Sequence, residues 1–368
     1  MAGWLAGILV KGPLILMVVG LAAAALALLD RSARWLSALR PLPGVAWLVL
    51  LVLPWFIAIY ARVGSQFLVA SVGEDMLAKV ANSQETHGAP PGLYIVLFFA
   101  TFFPASMLAG LAAPAVWAVR REPAAKFLLA WLVPSWIVFE LVVTKLPHYV
   151  LPLYPAIAIL IAGAVESKVL SRRLWLRRGV MWWFLGPVLI SIVAVIGAVV
   201  IDRDLALFAW PFLAAAIVCG LFAWQLYEDD GAELAFMRAA AASVLIAIGV
   251  YAVIMPSLTP AFPSVALADV MRGADCENPR AASTVYEEPS LVFLAGTTTQ
   301  FTDTDGAADF LRGGACRFAF IDARQEREFA RRAEAIGLRY DRGPRVDGYN
   351  ISVGKPIAIA VFQSAGSP

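Results

Sequence analysis

Charged residues are scarce in this chain. Of 368 residues, 15% are Asp, Glu, Lys or Arg, where ordinary soluble domains carry about 25%. That shortage excludes a soluble globular protein, and the 61% of hydrophobic residues with a mean hydropathy of +0.76 point to an integral membrane protein. An excess of one sign is missing too. The net charge is +2 and the basic residues are scattered, which argues against a nucleic-acid partner. Cysteines number three and histidines two. A secretory signal is lacking, because "MAGWLAGILVKGPL" has no basic residues ahead of an apolar core and no small-residue cleavage site. No internal repeat recurs at a clear spacing, which counts against a transporter built from paired interrupted helices.

What is present in abundance is the long apolar run. Crossing the roughly 30 Å hydrocarbon core takes about 20 mostly apolar helical residues. Eight spans are predicted, at 3–29, 44–61, 92–119, 124–143, 148–164, 180–201, 205–227 and 237–256. Orientation follows from the basic residues, which are enriched in short cytoplasmic loops. One alternating set of loops holds Arg31, Arg34, Arg40, Arg120, Arg121, Lys126, Lys168, Arg172, Arg173, Arg177, Arg178 and Arg238. The other holds Arg62, Lys79, Lys145 and Arg203. Twelve against four makes the first set cytoplasmic. The 62–91 loop, the 144–148 turn and the tail beyond Met255 then face outward, into the periplasm of a bacterial inner-membrane protein. The N-terminus is also placed outside, which predicts that helices preceding residue 1 have been lost.

The chain divides into a membrane domain at 1–256, a linker at 257–279 opened by "PSLTPAFPS", and a periplasmic α/β domain at 280–368. Within the last, "STVYEEPSLVFLAG" and "CRFAFIDA" read as strands, "DGAADFLRG" and "RQEREFARRAEAIG" as helices, and "GYNISVGKPIAIAVFQ" as a hairpin turning at Gly354. Cys219 falls in a span and is expected to pack. Cys276 and Cys316 share the oxidising compartment and are a candidate disulfide.

Ionisable residues at membrane depth are costly and mark sites. Lys11 interrupts the first span in "LVKGPL", where it either snorkels to the interface or offers an ammonium to an anion. The outer loop "GEDMLAKVANSQETHGAPPG" puts Asp75 and Lys79 one helical turn apart, with Glu74 in reach of Lys79. Its His87, with Glu74 and Asp75, suits a lipid headgroup or a divalent metal. In "TKLPHYVLPLYPAI" a lysine, an imidazole and a phenol, Lys145, His148 and Tyr149, lie on a short turn held by Pro147 and Pro152. Together they suit a phosphate diester at the lipid–water boundary, or else anchor the helix at the interface. Glu140, near the outer end of its span, is expected to pair with Lys145.

"VKGPL", "HGAPPG" and above all "TKLPHYVLPLYPAIAIL" resemble the C-terminal two-thirds of the bacterial family 39 membrane glycosyltransferases, relatives of the lipid A aminoarabinose transferase and of protein O-mannosyltransferases. The resemblance implies a GT-C fold: a multi-helix membrane body and a soluble C-terminal domain. It further implies transfer of a sugar from an undecaprenyl-phosphate-like donor to lipid A or another periplasmic acceptor, without a nucleotide cofactor. Carried over by motif, Lys11, Lys79, Lys145, His148 and Tyr149 are the expected contacts to the carrier phosphate. The family's acidic first periplasmic loop has no counterpart here, so no catalytic base is assigned within this chain. Two non-enzymatic alternatives use the same cations: a polyprenyl-lipid-binding protein and a lipid flippase.

Overall fold

The computed structural model describes residues 14–39, 41–65, 89–274 and 276–365. They are predominantly helical and end in one five-stranded sheet. Among them, six helices are long and apolar enough to cross a membrane: Leu42–Val63, Pro123–Leu141, Pro147–Glu166, Leu174–Asp202, Leu207–Gln225 and Tyr227–Ser257. A seventh span is a bent pair, Leu93–Thr101 and Ser106–Ala118. Leu14–Asp30 is a shorter apolar helix. This is a multi-pass membrane protein.

The structure adds detail to two predicted spans. The run at 92–119, expected as one span, is a helix pair bent by 116° around Phe102–Ala105. A break frees backbone carbonyls that must find donors in an apolar setting. Trp182 Nε1 donates to Phe99 O at 3.0 Å and Trp183 Nε1 to Pro104 O at 2.8 Å, so the "MWW" motif supplies the missing hydrogen bonds. The last span starts at Tyr227, ten residues before its predicted start. Its first turns are acidic but paired, Glu228 with Arg177 and Asp230 with Arg238, and the helix kinks at Gly231.

The chain forms two compact units. The first, residues 1–189 and 214–246, is the larger part of the membrane body. The 14–30 helix packs on the 123–141 helix, with Lys126 bound to Asp30, and the 154–166 helix packs on the 106–118 helix. Tyr94, Leu111, Leu153 and Trp183 are the centre of its core.

The second unit, residues 190–213 and 247–368, joins the ends of membrane helices to the sheet domain. Strands β1 (Arg280–Ser283), β2 (Gln300–Phe301), β3 (Arg317–Asp322), β4 (Tyr340–Asn350) and β5 (Lys355–Ser364) lie in the order β2-β1-β3-β5-β4. β1 runs parallel to β2 and β3, whereas β5 runs antiparallel to β3 and β4. Strand side chains alternate between faces. Phe318 and Phe320 therefore meet the helices carrying Leu267, Met271 and Leu291, while Ala319 and Ile321 meet those carrying Leu311 and Phe329. Both faces of β3 are covered, which makes this a three-layer α/β domain.

The predicted strand "CRFAFIDA", the helices at 304–312 and 326–335 and the turn at Gly354 (φ +70°) are observed. Two readings of the tail differ. "STVYEEPSLVFLAG" holds only the end of β1, and its apolar half is the helix Pro289–Ala295, begun by a proline at its first position. The expected linker at 257–279 contains the helix Pro263–Gly273, whose Leu267 and Met271 enter the core. Cys276 and Cys316 are joined by a disulfide with Cα atoms 5.7 Å apart, and Cys219 is half-buried and free.

Candidate functional site

The turn "KLPHYVLPLYP" is organised by prolines. Pro147 opens a 3-10 helix, Pro147–Leu153, and Pro155 sits in the first turn of the α-helix that follows, Tyr154–Glu166. Proline is tolerated at these positions because a first-turn N–H has no intrahelical acceptor in any case. The helix thus starts without a loop, and the residues before it are held at its mouth.

The other half of the site is the stretch 89–95, which leads into the helix Leu93–Thr101. It is clasped to the turn by five hydrogen bonds. Ala89 N–H donates to Val143 O at 3.3 Å, and Tyr94 Oη to Leu146 O at 3.2 Å. Lys145 Nζ donates to Ala89 O at 3.0 Å, and also to its own neighbour Val142 O at 2.6 Å. Glu140 Oε2 accepts from Gly92 N–H at 2.8 Å and its Oε1 from Ile95 N–H at 3.2 Å. The carboxylate therefore stands at the N-terminus of the 93–101 helix, where orphan N–H groups and the helix dipole favour negative charge.

This geometry replaces the expected Glu140–Lys145 ion pair. Each charge is satisfied by backbone groups, and among the described residues no ion pair joins the two. Glu140 and Lys145 are both buried, 8% and 5% exposed, so the ammonium expected on a lipid phosphate is enclosed and bonded to carbonyls. Sequence reasoning missed Tyr94, which is fully buried, and missed the capping role of Glu140. A carboxylate at the end of a span, combined with a helix start "PPGLYI" that carries no side-chain cap, was the signal available.

Of the polar side chains in the signature, His148 and Tyr149 reach the surface. His148 is exposed, Tyr149 is half-buried against the core, and their rings meet edge to face at 5.0 Å. One turn further on, Tyr154 Oη is hydrogen-bonded to Thr101 Oγ1, and its ring packs on Phe98 and Phe102. The turn thus carries an imidazole and a phenol, side chains whose N–H and O–H groups can donate hydrogen bonds. Lys11, Glu74, Asp75, Lys79 and His87 lie outside the described residues. Among the described residues no cluster of His, Cys, Asp or Glu could hold a metal ion.

The fold, an α-helical multi-pass membrane body with a small terminal sheet domain, is GT-C-like. The particular likeness is to ArnT from Cupriavidus metallidurans: its crystal structure bound to undecaprenyl phosphate superposes on 99% of this chain and 68% of that one, with a TM-score of 0.60 and 18% identity. Its apo crystal structure matches over the same shares, with a TM-score of 0.60 and 16% identity. In sequence the chain is 28% identical over 199 residues to the undecaprenyl phosphate-alpha-4-amino-4-deoxy-L-arabinose arabinosyl transferase of Pectobacterium carotovorum, covering 52% of this chain and 34% of that protein. It is 27% identical over 232 residues to the transferase of the same name from Serratia proteamaculans, covering 60% and 40%. The chain thus spans about a third to two-fifths of the length of these curated relatives. No protein-family model matches it.

Proposed function

We propose that this chain is the donor-lipid-binding portion of a membrane glycosyltransferase, which uses an undecaprenyl-phosphate-linked sugar and serves lipid A or another acceptor at the periplasmic face of a bacterial inner membrane. The observation that carries this reading is the clasped turn, which presents His148 and Tyr149 from a base fixed by Glu140, Lys145 and Tyr94. The fold shared with a transferase crystallised on undecaprenyl phosphate supports it, as does the asymmetry of basic residues, which turns this site outward.

The chemistry follows from where charge develops. As the bond between the sugar and the carrier breaks, the departing lipid phosphate gains negative charge. Donors fixed in place for that charge stabilise the transition state more than the ground state. His148 and Tyr149 supply two such donors, with Lys11 and Lys79 as the proposed cations. The acceptor hydroxyl must also lose a proton, for which a positioned carboxylate is the ordinary base. Glu140 is not assigned that role, because both of its oxygens are engaged by helix N–H groups.

The test is binding of undecaprenyl phosphate to the full chain in lipid nanodiscs by native mass spectrometry, together with mass spectrometry of lipid A from cells with and without the locus. Binding weakened by Tyr149→Phe and His148→Ala, with a sugar substituent missing from lipid A in the deletion, is the expected result. Binding unchanged in both variants rejects the site. Intact lipid A and polyprenyl glycolipids in the deletion strain favour a non-catalytic lipid-binding protein.

A further inference from the structure

The sheet domain carries a group of exposed apolar side chains at the end where the chain enters it. Turns are ordinarily polar, because their residues are chosen for backbone conformation and solvent contact. The β4–β5 turn is instead "ISVG", with Ile351 57% and Val353 45% exposed. Beside it is the 289–295 helix, whose Phe293 is 87% exposed. Ser352 Oγ donates to Glu288 Oε2 at 3.0 Å, which ties the hairpin tip to the residue that begins this helix. Phe262 and Val265, on the segment leaving the last membrane helix, are exposed as well.

Hydrogen bonds and close contacts put these pieces at one end of the domain. Gly348 of β4 lies against Pro260 O and Pro263, only a few residues past the end of the membrane helix at Ser257. The hairpin tip begins three residues beyond Gly348, about 10 Å along the strand at roughly 3.3 Å per residue. Ser264 Oγ, at the start of the 263–273 helix, is within 2.8 Å of Ser290 Oγ, at the start of the 289–295 helix. In the same unit, the start of the 207–225 span exposes Leu207, Phe208 and Trp210, and its Ala209 packs with Leu258 and Ala261 on the segment that leads to the sheet domain. Exposed apolar side chains thus occur both at the start of this span and at the base of the sheet domain.

We propose that the hairpin tip, through Ile351 and Val353, and the 289–295 helix, through Phe293, insert into the interfacial layer of the bilayer. The occupant is lipid: Phe and aliphatic side chains enter the acyl boundary, while Lys355 directly after the turn suits an anionic headgroup. Large apolar side chains exposed in elements tied together at one end of a domain mark an interaction site rather than ordinary scatter. The proposal rests on the membrane-spanning reading and not on sugar transfer.

The experiment uses the full chain in vesicles of phosphatidylethanolamine and phosphatidylglycerol, in a Cys219→Ala background with the 276–316 disulfide intact. An environment-sensitive fluorophore is attached at Ile351→Cys, Val353→Cys or Phe293→Cys, and at Arg331→Cys on the 326–335 helix as an exposed reference. Labels at 351, 353 and 293 are expected to be quenched by nitroxide-bearing lipids, with a several-fold loss of quenching by aqueous iodide relative to 331. Iodide quenching equal to that at 331 overturns the proposal. Shielding from iodide without quenching by nitroxide lipid also overturns it, and assigns the surface to a protein contact. Three label positions keep the outcome readable if one substitution prevents folding.

Discussion

The two regions of this protein close their loops by different means. In the membrane body, the stretch 89–95 is held to residues 140–146 by hydrogen bonds in which the Glu140 carboxylate accepts and Lys145 and Tyr94 donate. In the sheet domain, residues 276 and 316 are held by a covalent bond. The buried carboxylates differ in part. Glu140 is satisfied by helix N–H groups, whereas Asp322, 4% exposed at the end of β3, accepts from both the guanidinium and the backbone N–H of Arg324. The difference teaches what each setting supplies. An apolar bilayer offers a carboxylate few mobile cations but many helix ends, and an aqueous domain surface offers flexible arginines.

The largest effect is expected from the covalent closure. Replacing Cys276 and Cys316 by Ser opens a loop with a sequence separation of 40, which the chain-entropy model values at about 4 kcal/mol. Denaturant unfolding of the sheet domain, followed by near-UV circular dichroism, measures it. A loss confined to this domain keeps the two regions distinct. A parallel loss in the membrane body would break the comparison.

Next comes the non-covalent clasp. Glu140→Ala orphans two helix N–H groups, each bond to a charged acceptor contributing about 1.5–3 kcal/mol, so a loss of about 3 kcal/mol is expected. Glu140→Gln keeps one neutral acceptor and retains part of it. Hydrogen exchange at Gly92 and Ile95 is the readout. Equal protection in wild type and Glu140→Ala would show that the cap contributes nothing. Lys145→Met leaves the carbonyls of Ala89 and Val142 without their donor, at about 1–3 kcal/mol. It also loosens the base under His148 and Tyr149, so undecaprenyl phosphate binding should weaken although the lysine itself is enclosed.

The smallest effect is expected at Asp322. The hydrogen-bonded Arg324 guanidinium holds its carboxyl below the usual carboxylate range. A group depressed in the folded state contributes stability in full above its unfolded value, about 3.9, and loses that contribution as pH falls through the lower folded value. Asp322→Asn should therefore flatten the acid limb of the sheet domain's thermal stability below about pH 4, near that unfolded value. The change near pH 7 is limited by the solvent exposure of the arginine, which screens the pair. An unchanged acid limb would assign acid sensitivity to other carboxylates.

The legible parts of the fold were those with local signatures. "CRFAFIDA" alternates bulky and small residues that β3 sends to two faces, and the 326–335 helix repeats its apolar positions at helical spacing. "PSLVFLA" was misread because a seven-residue apolar run has no period long enough to separate helix from strand. The bend at 102–105 escaped notice because its stabilising tryptophans lie about eighty residues away. The site follows the same rule. Pro147, His148 and Tyr149 form a contiguous motif and could be read directly. The clasp joins Glu140 to residues 45 and 48 positions away, so the carboxylate and the uncapped helix start are each visible in the sequence but their pairing is not. Lys145 was assigned by its charge and its place in the signature, and the fold gives its ammonium the carbonyls of Ala89 and Val142 as partners.

Gly348 carries one mechanical consequence. A Cβ there would stand 2.6 Å from Pro263 Cγ and 2.8 Å from Pro260 O, so only glycine lets β4 lie flush against the segment leaving the membrane. A flush joint between two prolines and a strand leaves the short connection after Ser257 little room to pivot. The sheet domain is therefore mounted like a blade on its shaft, and a tilt of the 247–257 helix end becomes a displacement of the hairpin tip.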